Sequence, residues 1–419
     1  MLGRGWFGGI LLVVAGASSA GAQGVIFPSS GAKHQSMAGA STAAPVDAAG
    51  ATYWNPAAMA GMEDGEIFIG VDFLYANTFL DASVEGLGSG SNRSDSGLSG
   101  APAIGLVTRP ENSDYTYGLN IRGLVGRAID FPGSEFNPVL QPYDPPRTFG
   151  LGPVSSRRSG LQIDPMMSKQ ITDQLAVGVG AQVAAVSFAW DPALFAARNP
   201  NGLFPPATQS RSYWGAGFQG GVLYSPGSDW DFGASFKSPI WFETFEYNSK
   251  DDQGRARSLA LDVTYPWVLS FGAGYRGVEK TIVAVDFRYF NYESSKPFGL
   301  APREPGTGGG LGWSNVAAFA VGIQREVHDM VDVQGGFSWN GDPLPNGAAT
   351  LLNIQVPALN KVAFSFGLTV ALTERVDIVG GFLYALQHSN SGSILEIPGS
   401  AIELRQDLST FNLGFAFKL

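Results

Sequence analysis

The last nine residues, "FNLGFAFKL" (Phe411–Leu419), alternate without a break. Phe411, Leu413, Phe415, Phe417 and Leu419 are apolar, while Asn412, Gly414, Ala416 and Lys418 are small or polar. A period of two puts these sets on opposite faces of a β-strand. The same split runs through "VDVQGGFSWN" (Val331–Asn340), where Val331, Val333, Phe337 and Trp339 oppose Asp332, Gln334, Ser338 and Asn340, and through "KVAFSFGLTV" (Lys361–Val370). Such a sheet is either half of a soluble sandwich or the wall of a membrane barrel. Length separates the two: soluble strands average about five or six residues, and tilted membrane strands need about 9 to 11.

Outward from this terminal strand, long alternating segments fall at about 65–77, 100–109, 114–126, 158–170, 173–190, 211–225, 229–247, 257–275, 279–293, 311–325, 329–340, 359–372, 374–388 and 405–419. There are fourteen, and the connections between them alternate. "PENS", "TD", "PGS", "GVE" and "EVH" are short; 78–99, 127–157, 191–210, 248–256, 294–310, 341–358 and 389–404 are long. Outer-membrane barrels have this asymmetry, with short turns in the periplasm and long loops outside. An even-numbered barrel that begins and ends on the short-turn side has both termini in the periplasm.

Composition agrees with an envelope protein. Of 419 residues 56 are glycine and 12% are aromatic, yet only 15% are charged, against roughly 25% in average soluble proteins. Arg4, the apolar run "WFGGILLVVAGA" and "AGA" (Ala20–Ala22) read as a secretory signal peptide over residues 1–22, with Gln23 as the mature start. After it, no run approaches the roughly 18 apolar residues of a membrane helix. The formal net charge of -10 leaves no basic patch for nucleic acid. Without cysteine there is no lipoprotein anchor, disulfide, thiol catalysis or thiolate metal site. The only histidines, His34, His328 and His388, are too scattered for a catalytic grouping or a metal centre. Neither an enzyme nor a cofactor is expected.

Residues 23–62 precede the first strand and do not alternate. Their small residues, as in "SMAGASTAAPVDAAGATYWNPAAMAGM" (Ser36–Met62), suit close packing inside a lumen, with Tyr53 and Trp54 as anchors. Asn55-Pro56 redirects the chain, because proline lacks an N–H and disfavours a helical residue before it; the Asn55 side chain then bonds nearby backbone. The expected fold is all-β: a 14-stranded antiparallel transmembrane β-barrel over 63–419, plugged by an N-terminal hatch over 23–62.

The run Gly31, Met37–Ala40, "DAAGATYWNPAAM" (Asp47–Met59) and the "GM" at Gly61-Met62 resembles the hatch signature of the FadL family of outer-membrane transporters for long-chain fatty acids and aromatic hydrocarbons. "DPMMSKQITDQLAVGVGAQV", "VTYPWVLSFGAGYRGVEKTIVAVDFRYFNY" and "LGWSNVAAFAVGIQREVHDMVDVQGGFSWNGDPLP" look like family blocks in family order. The resemblance implies a monomeric 14-stranded barrel in the Gram-negative outer membrane. It also implies a hatch-borne gate at Tyr53, Trp54, Asn55, Pro56 and Ala57, an internal apolar pocket, and a lateral opening at a kink in the third strand, where Gly118, Gly123 and Gly126 lie.

An apolar path is what such a ligand needs. At about 0.8 kcal/mol per methylene, releasing roughly 14 methylenes into water costs on the order of 11 kcal/mol. The loop "DPALFAARNPNGLFPPATQ" offers Leu194, Phe195, Leu203 and Phe204 as an outer capture site. Arg122, Arg157 and Arg158 are candidate partners for a ligand carboxylate. Asp231, Asp286, Asp332 and Asp377 are expected to form a salt-bridged floor with Arg276, Arg325 and Arg375 that anchors the hatch. The partners expected are a hydrophobic ligand (fatty acid or hydrocarbon) and outer-membrane lipid. A porin for polar solutes and a structural or adhesive barrel are the rival readings; the Gly-, Ala- and Ser-rich inner face and the hatch count against a porin with a charged constriction.

Overall fold

A computed structural model describes residues 23–143, 150–208, 211–301, 310–394 and 397–419; the expected signal peptide lies outside the described residues. Every neighbouring pair of wall strands is antiparallel. The first strand (Glu66–Val84) pairs with the last (Ala401–Lys418), from Glu66↔Lys418 to Ser83↔Ala401, so the sheet closes on itself. Between them run the second (Gly88–Arg93, resumed at Leu98–Thr108), third (Tyr115–Phe131), fourth (Val154–Thr172), fifth (Leu175–Asp191) and sixth (Tyr213–Tyr224) strands. The seventh comprises Trp230–Lys237 and Ile240–Phe242, and the eighth Thr264–Tyr265 and Val268–Val278. The ninth to thirteenth are Thr281–Phe290, Val316–His328, Val331–Asn340, Val362–Thr373 and Val376–Gly392. That is the fourteen-stranded barrel read from loop rhythm, and closure removes every sheet edge.

The alternation resolves as a membrane wall. Phe411, Leu413, Phe415 and Phe417 are exposed on the outer face, whereas Asn412 and Ala416 are buried inside. The apolar side points outward, the inverse of a soluble sandwich.

Two loop expectations change. The 78–99 connection is mostly strand: the first strand continues to Val84 and turns directly into Gly88–Arg93. There the alternation inverts: Leu80, Ala82 and Val84 point inward and are buried, while the polar Asp81 and Ser83 face outward, the reverse of the phase lower in the same strand. Likewise 248–256 is the tip of a hairpin, Phe245–Lys250 with Ala256–Leu261, that carries the seventh and eighth strands beyond the closed sheet. The expected charged floor also differs. Arg276 does pair with Asp231 at 3.2 Å, but Asp286 pairs with Arg288, Asp377 with Lys418, and Asp332 accepts from Gln324. Arg325 instead donates to the Thr281 hydroxyl.

Residues 23–62 occupy the lumen. From Ser29 to Met59 every residue except Val46 is buried, although the segment holds only two short α-helices, α1 (Ala32–Ser36) and α2 (Ala48–Ala51), and a 3-10 turn, Pro56–Gly61. Neither helix is long enough to persist alone. The wall holds them: Ser36 and Ala38 bond Ser365 and Phe366 of the twelfth strand, and the Ala48 N–H donates to Glu66 at 2.8 Å.

Candidate functional site: the plugged lumen and its cavities

The Asn55 side chain ties the plug both to itself and to the wall. Its Oδ1 caps the 3-10 turn by accepting from the Ala57 N–H at 3.0 Å, and its Nδ2 donates to the Thr42 carbonyl at 2.8 Å and the Val222 carbonyl of the sixth strand at 3.0 Å. The contact needs glycine in the wall. A Cβ on Gly221 would lie 2.1 Å from Asn55 Oδ1, and one on Gly178 would lie 2.4 Å from the Pro56-Ala57 peptide. Pro56 opens the turn at a position whose missing N–H costs nothing.

Tyr53 and Trp54 pack edge to face at 4.7 Å and hold the start of the plug: the Tyr53 hydroxyl donates to the Phe27 carbonyl, and Trp54 Nε1 donates to the Pro28 carbonyl at 3.2 Å. Three buried cations of the wall face these rings. Arg122 lies 4.3 Å from the Tyr53 centroid, Arg288 4.2 Å from that of Trp54, and Lys237 about 5 Å from both. Arg122 is paired with Asp164 at 3.2 Å and Arg288 with Asp286. Asp286 also accepts from the backbone N–H groups of Ser41 and Thr42 and from the Thr42 hydroxyl at 2.8 Å. Lys237 forms neither a hydrogen bond nor an ion pair among the described residues. Sequence reading expected Asp286 to anchor the hatch but missed Lys237 and Arg288, although an ionisable residue in mid-span, as in "SFKSP" and "VDFRYF", is itself a functional signal.

Two groups of the plug are shifted by burial. His34 is driven down to about 3 by burial, with the nearby Arg288 charge acting in the same direction against the hydrogen bonds that its ring makes with the Gly39 carbonyl and the Ser30 N–H. Asp47, the N-cap of α2, is pushed up to about 7 by burial and by the Glu66 carboxyl.

Of the three arginine candidates, the structure places one facing an apolar pocket without a protein partner for part of its guanidinium. Arg157 is exposed on the outer face, since neighbours in a strand point opposite ways. Arg122 already has Asp164. Arg158 is buried with Nε and one terminal nitrogen unpartnered, lining a cavity of about 300 Å³ with Val25, Phe188, Trp190, Tyr265 and Phe298. The apolar loop expected as a solvated capture cluster is instead a packed cover: Leu194 and Phe204 are buried, Phe195 packs on Trp190 and Tyr247, and only Leu203 is exposed. The rings beneath it supply enough apolar surface to fold the loop inward.

The third-strand glycines separate in role. A Cβ on Gly118 would strike Met59 Sδ, so Gly118 makes room for the plug. At Gly123 the strand bulges: Gly123 opposes Leu161 while Val125 opposes Gly160, leaving Leu124 as the extra residue. Pairing with the second strand stops at Ala103↔Arg122. Above that point Ser99, Gly100, Ala101, Gly123, Gly126 and Arg127 line a cavity of about 870 Å³, which also touches Gln23–Ser30 of the plug. A third cavity of about 330 Å³ lies between the other two. It shares Tyr265 with the outer one and Ile26 with the lower one. His34, His328 and His388 stay apart, and among the described residues no group of His, Asp and Glu could hold a metal.

The family model of the outer membrane protein transport proteins (OMPP1/FadL/TodX) matches residues 11–396. Among solved structures, the Pseudomonas putida toluene transporter TodX superposes with a TM-score of 0.69 at 14% identity, covering 94% of this chain and 99% of that one. A Pseudomonas aeruginosa FadL homologue gives 0.68 at 14%, covering 94% and 99%. The Ralstonia pickettii toluene transporter TbuX gives 0.66 at 16%, covering 93% and 98%. No match to a curated protein sequence was found. A plugged fourteen-stranded barrel with three internal cavities and a model match over nearly its whole length belongs to the OMPP1/FadL/TodX family of outer-membrane transport proteins.

Proposed function

We propose that the protein is a monomeric outer-membrane channel for passive uptake of hydrophobic small molecules, hydrocarbons or fatty acids, with both termini in the periplasm. The observation that carries this is the lower cavity. It is lined by Asp72 and Leu74 from the inner face of the first strand and by Phe73 from its outer face, so it passes through the wall where the second and third strands part. A ligand enters under the cover loop, occupies the outer cavity with any carboxylate on Arg158, and passes Tyr265 and Ile26. It leaves sideways into lipid at Gly123 and Gly126. No step exposes an alkyl chain to bulk water. The plug is the gate, with Asn55, Pro56 and Ala57 as its latch and Tyr53 and Trp54 as its anchors.

Native mass spectrometry with lipid extraction, run beside a variant lacking residues 23–62, tests this. Bound fatty acid or hydrocarbon in the intact protein, with ion conductance only in the truncated one, is the expected result. An empty intact protein that conducts ions would leave a polar-solute porin as the better account.

A further inference from the structure

The seventh and eighth strands share a second interruption. Below it Lys237 pairs with Val268, and above it Ile240 pairs with Tyr265 and Trp241 with Thr264. The register is continuous, which sets Pro239 against Pro266 and Ser238 against Trp267. Proline has no N–H to give a ladder and is confined to edges and bulges of sheets. The free groups at this seam are used elsewhere: the Ser238 N–H donates to Phe218 of the sixth strand, and the Trp267 carbonyl accepts from Asn291. No backbone hydrogen bond crosses between the strands at these four residues.

Side-chain direction confirms the break. Lys237 and Ile240 are three residues apart yet both buried inside, as are Tyr265 and Val268. Each strand therefore carries one residue too many at the same level, and the wall bows. Behind the seam lies the middle cavity, lined from both strands by Lys237, Ser238, Ile240, Tyr265, Pro266 and Val268. In front of it stand rings that face lipid: Phe218 with Phe236 at 6.1 Å, Phe218 with Trp241 at 6.5 Å, and Phe236 with Trp267 at 6.3 Å. Ser238 stands as far along from Trp230 as Gly123 does from Tyr115. At about 3.3 Å per residue and a tilt near 40°, that is roughly 20 Å above the short turns, in the outer half of an apolar band about 25 Å tall.

We infer that this seam is a second lateral portal, at which single-chain carboxylate amphiphiles exchange between the outer leaflet and the cavity behind Tyr53 and Trp54. The chain stays among the aromatic rings and lipid while the head reaches Lys237, whose ammonium rests only on ring faces. Arg122 Nε, buried without a partner, completes the polar end. The inference rests on the channel reading above, so its test separates the two.

Because the chain has no cysteine, the seam can be locked by one engineered disulfide, Trp241→Cys with Thr264→Cys. Phe236→Cys with Leu269→Cys, paired just below the seam, is a second lock should the first fail to fold. The probe is a C16 carboxylic acid with a terminal diazirine, dissolved in vesicles that hold the protein, with labelled residues located by mass spectrometry. Labelling of Ile240, Tyr265 and Val268 is expected in the reduced protein. It should fall at least tenfold on oxidation and return with reductant, while labelling of the gap at Ala101 and Gly123 persists. Lys237→Met should abolish a preference of at least tenfold for the acid over the alcohol of equal length. Middle-cavity labelling unchanged by the lock overturns the portal, as does labelling lost when Ala101→Cys and Gly123→Cys close the other gap. No labelling in any cavity overturns the channel reading as well.

Discussion

At the residue scale the plug is held by a few polar atoms whose partners were not visible in sequence. Asn55→Ala removes the cap and the two hydrogen bonds to the Thr42 and Val222 carbonyls, so docking should weaken by about 2–3 kcal/mol. Hydrogen exchange over residues 23–62 should then rise by one to two orders of magnitude while the barrel stays protected. His34 and Asp47 give docking opposed pH dependences. The His34 imidazole has its folded value near 3, below the free value of 6.5. As the pH falls from 6.5 the released plug takes up a proton that the docked one refuses, and docking loses up to about 1.4 kcal/mol per unit. Asp47 has its folded value near 7, above the free value of 3.8, so its contribution is full in acid and is lost as the pH rises through 7. His34→Gln should therefore move the pH of tightest docking downward and Asp47→Asn should move it upward, both read by exchange of the plug amides.

At the scale of elements, the strands were legible and their irregularities were not. Alternation locates a strand to within a few residues, because each side chain must face either outward or into the lumen; it misled at 78–99, where the apolar residues Leu80, Ala82 and Val84 turn inward and the polar ones outward. The bulge at Leu124 lies in a chain so rich in glycine that Gly118, Gly123 and Gly126 look alike, and only the pairing with the fourth strand distinguishes them. Deleting Leu124 should restore register with the fourth strand and narrow the gap. Uptake of hydrophobic ligand should then fall severalfold, while circular dichroism and the heat-shifted gel mobility of a folded barrel are unchanged. The opposed prolines at 239 and 266 are visible in sequence one at a time, but that they face each other is a fact of register.

At the scale of the whole molecule, closure and filling decide behaviour. Outward-facing Leu413 is 54% exposed to the surrounding medium, so Leu413→Arg should cost about 2–4 kcal/mol in reversible folding into bilayers if that face meets the lipid midplane. The charged residues of the lumen are set in networks that no linear spacing announces: Asp286 meets Ser41 and Thr42 across 245 and 244 positions. The sequence by itself determined the barrel, its strand number and the segment left over to plug it, since period, length and loop rhythm are local properties that a bilayer enforces strand by strand. Which arginine faces an apolar pocket, which cation stays unpaired and where the wall parts were decided only by the tertiary structure. These depend on register and on the plug filling the lumen, and both couple residues hundreds of positions apart.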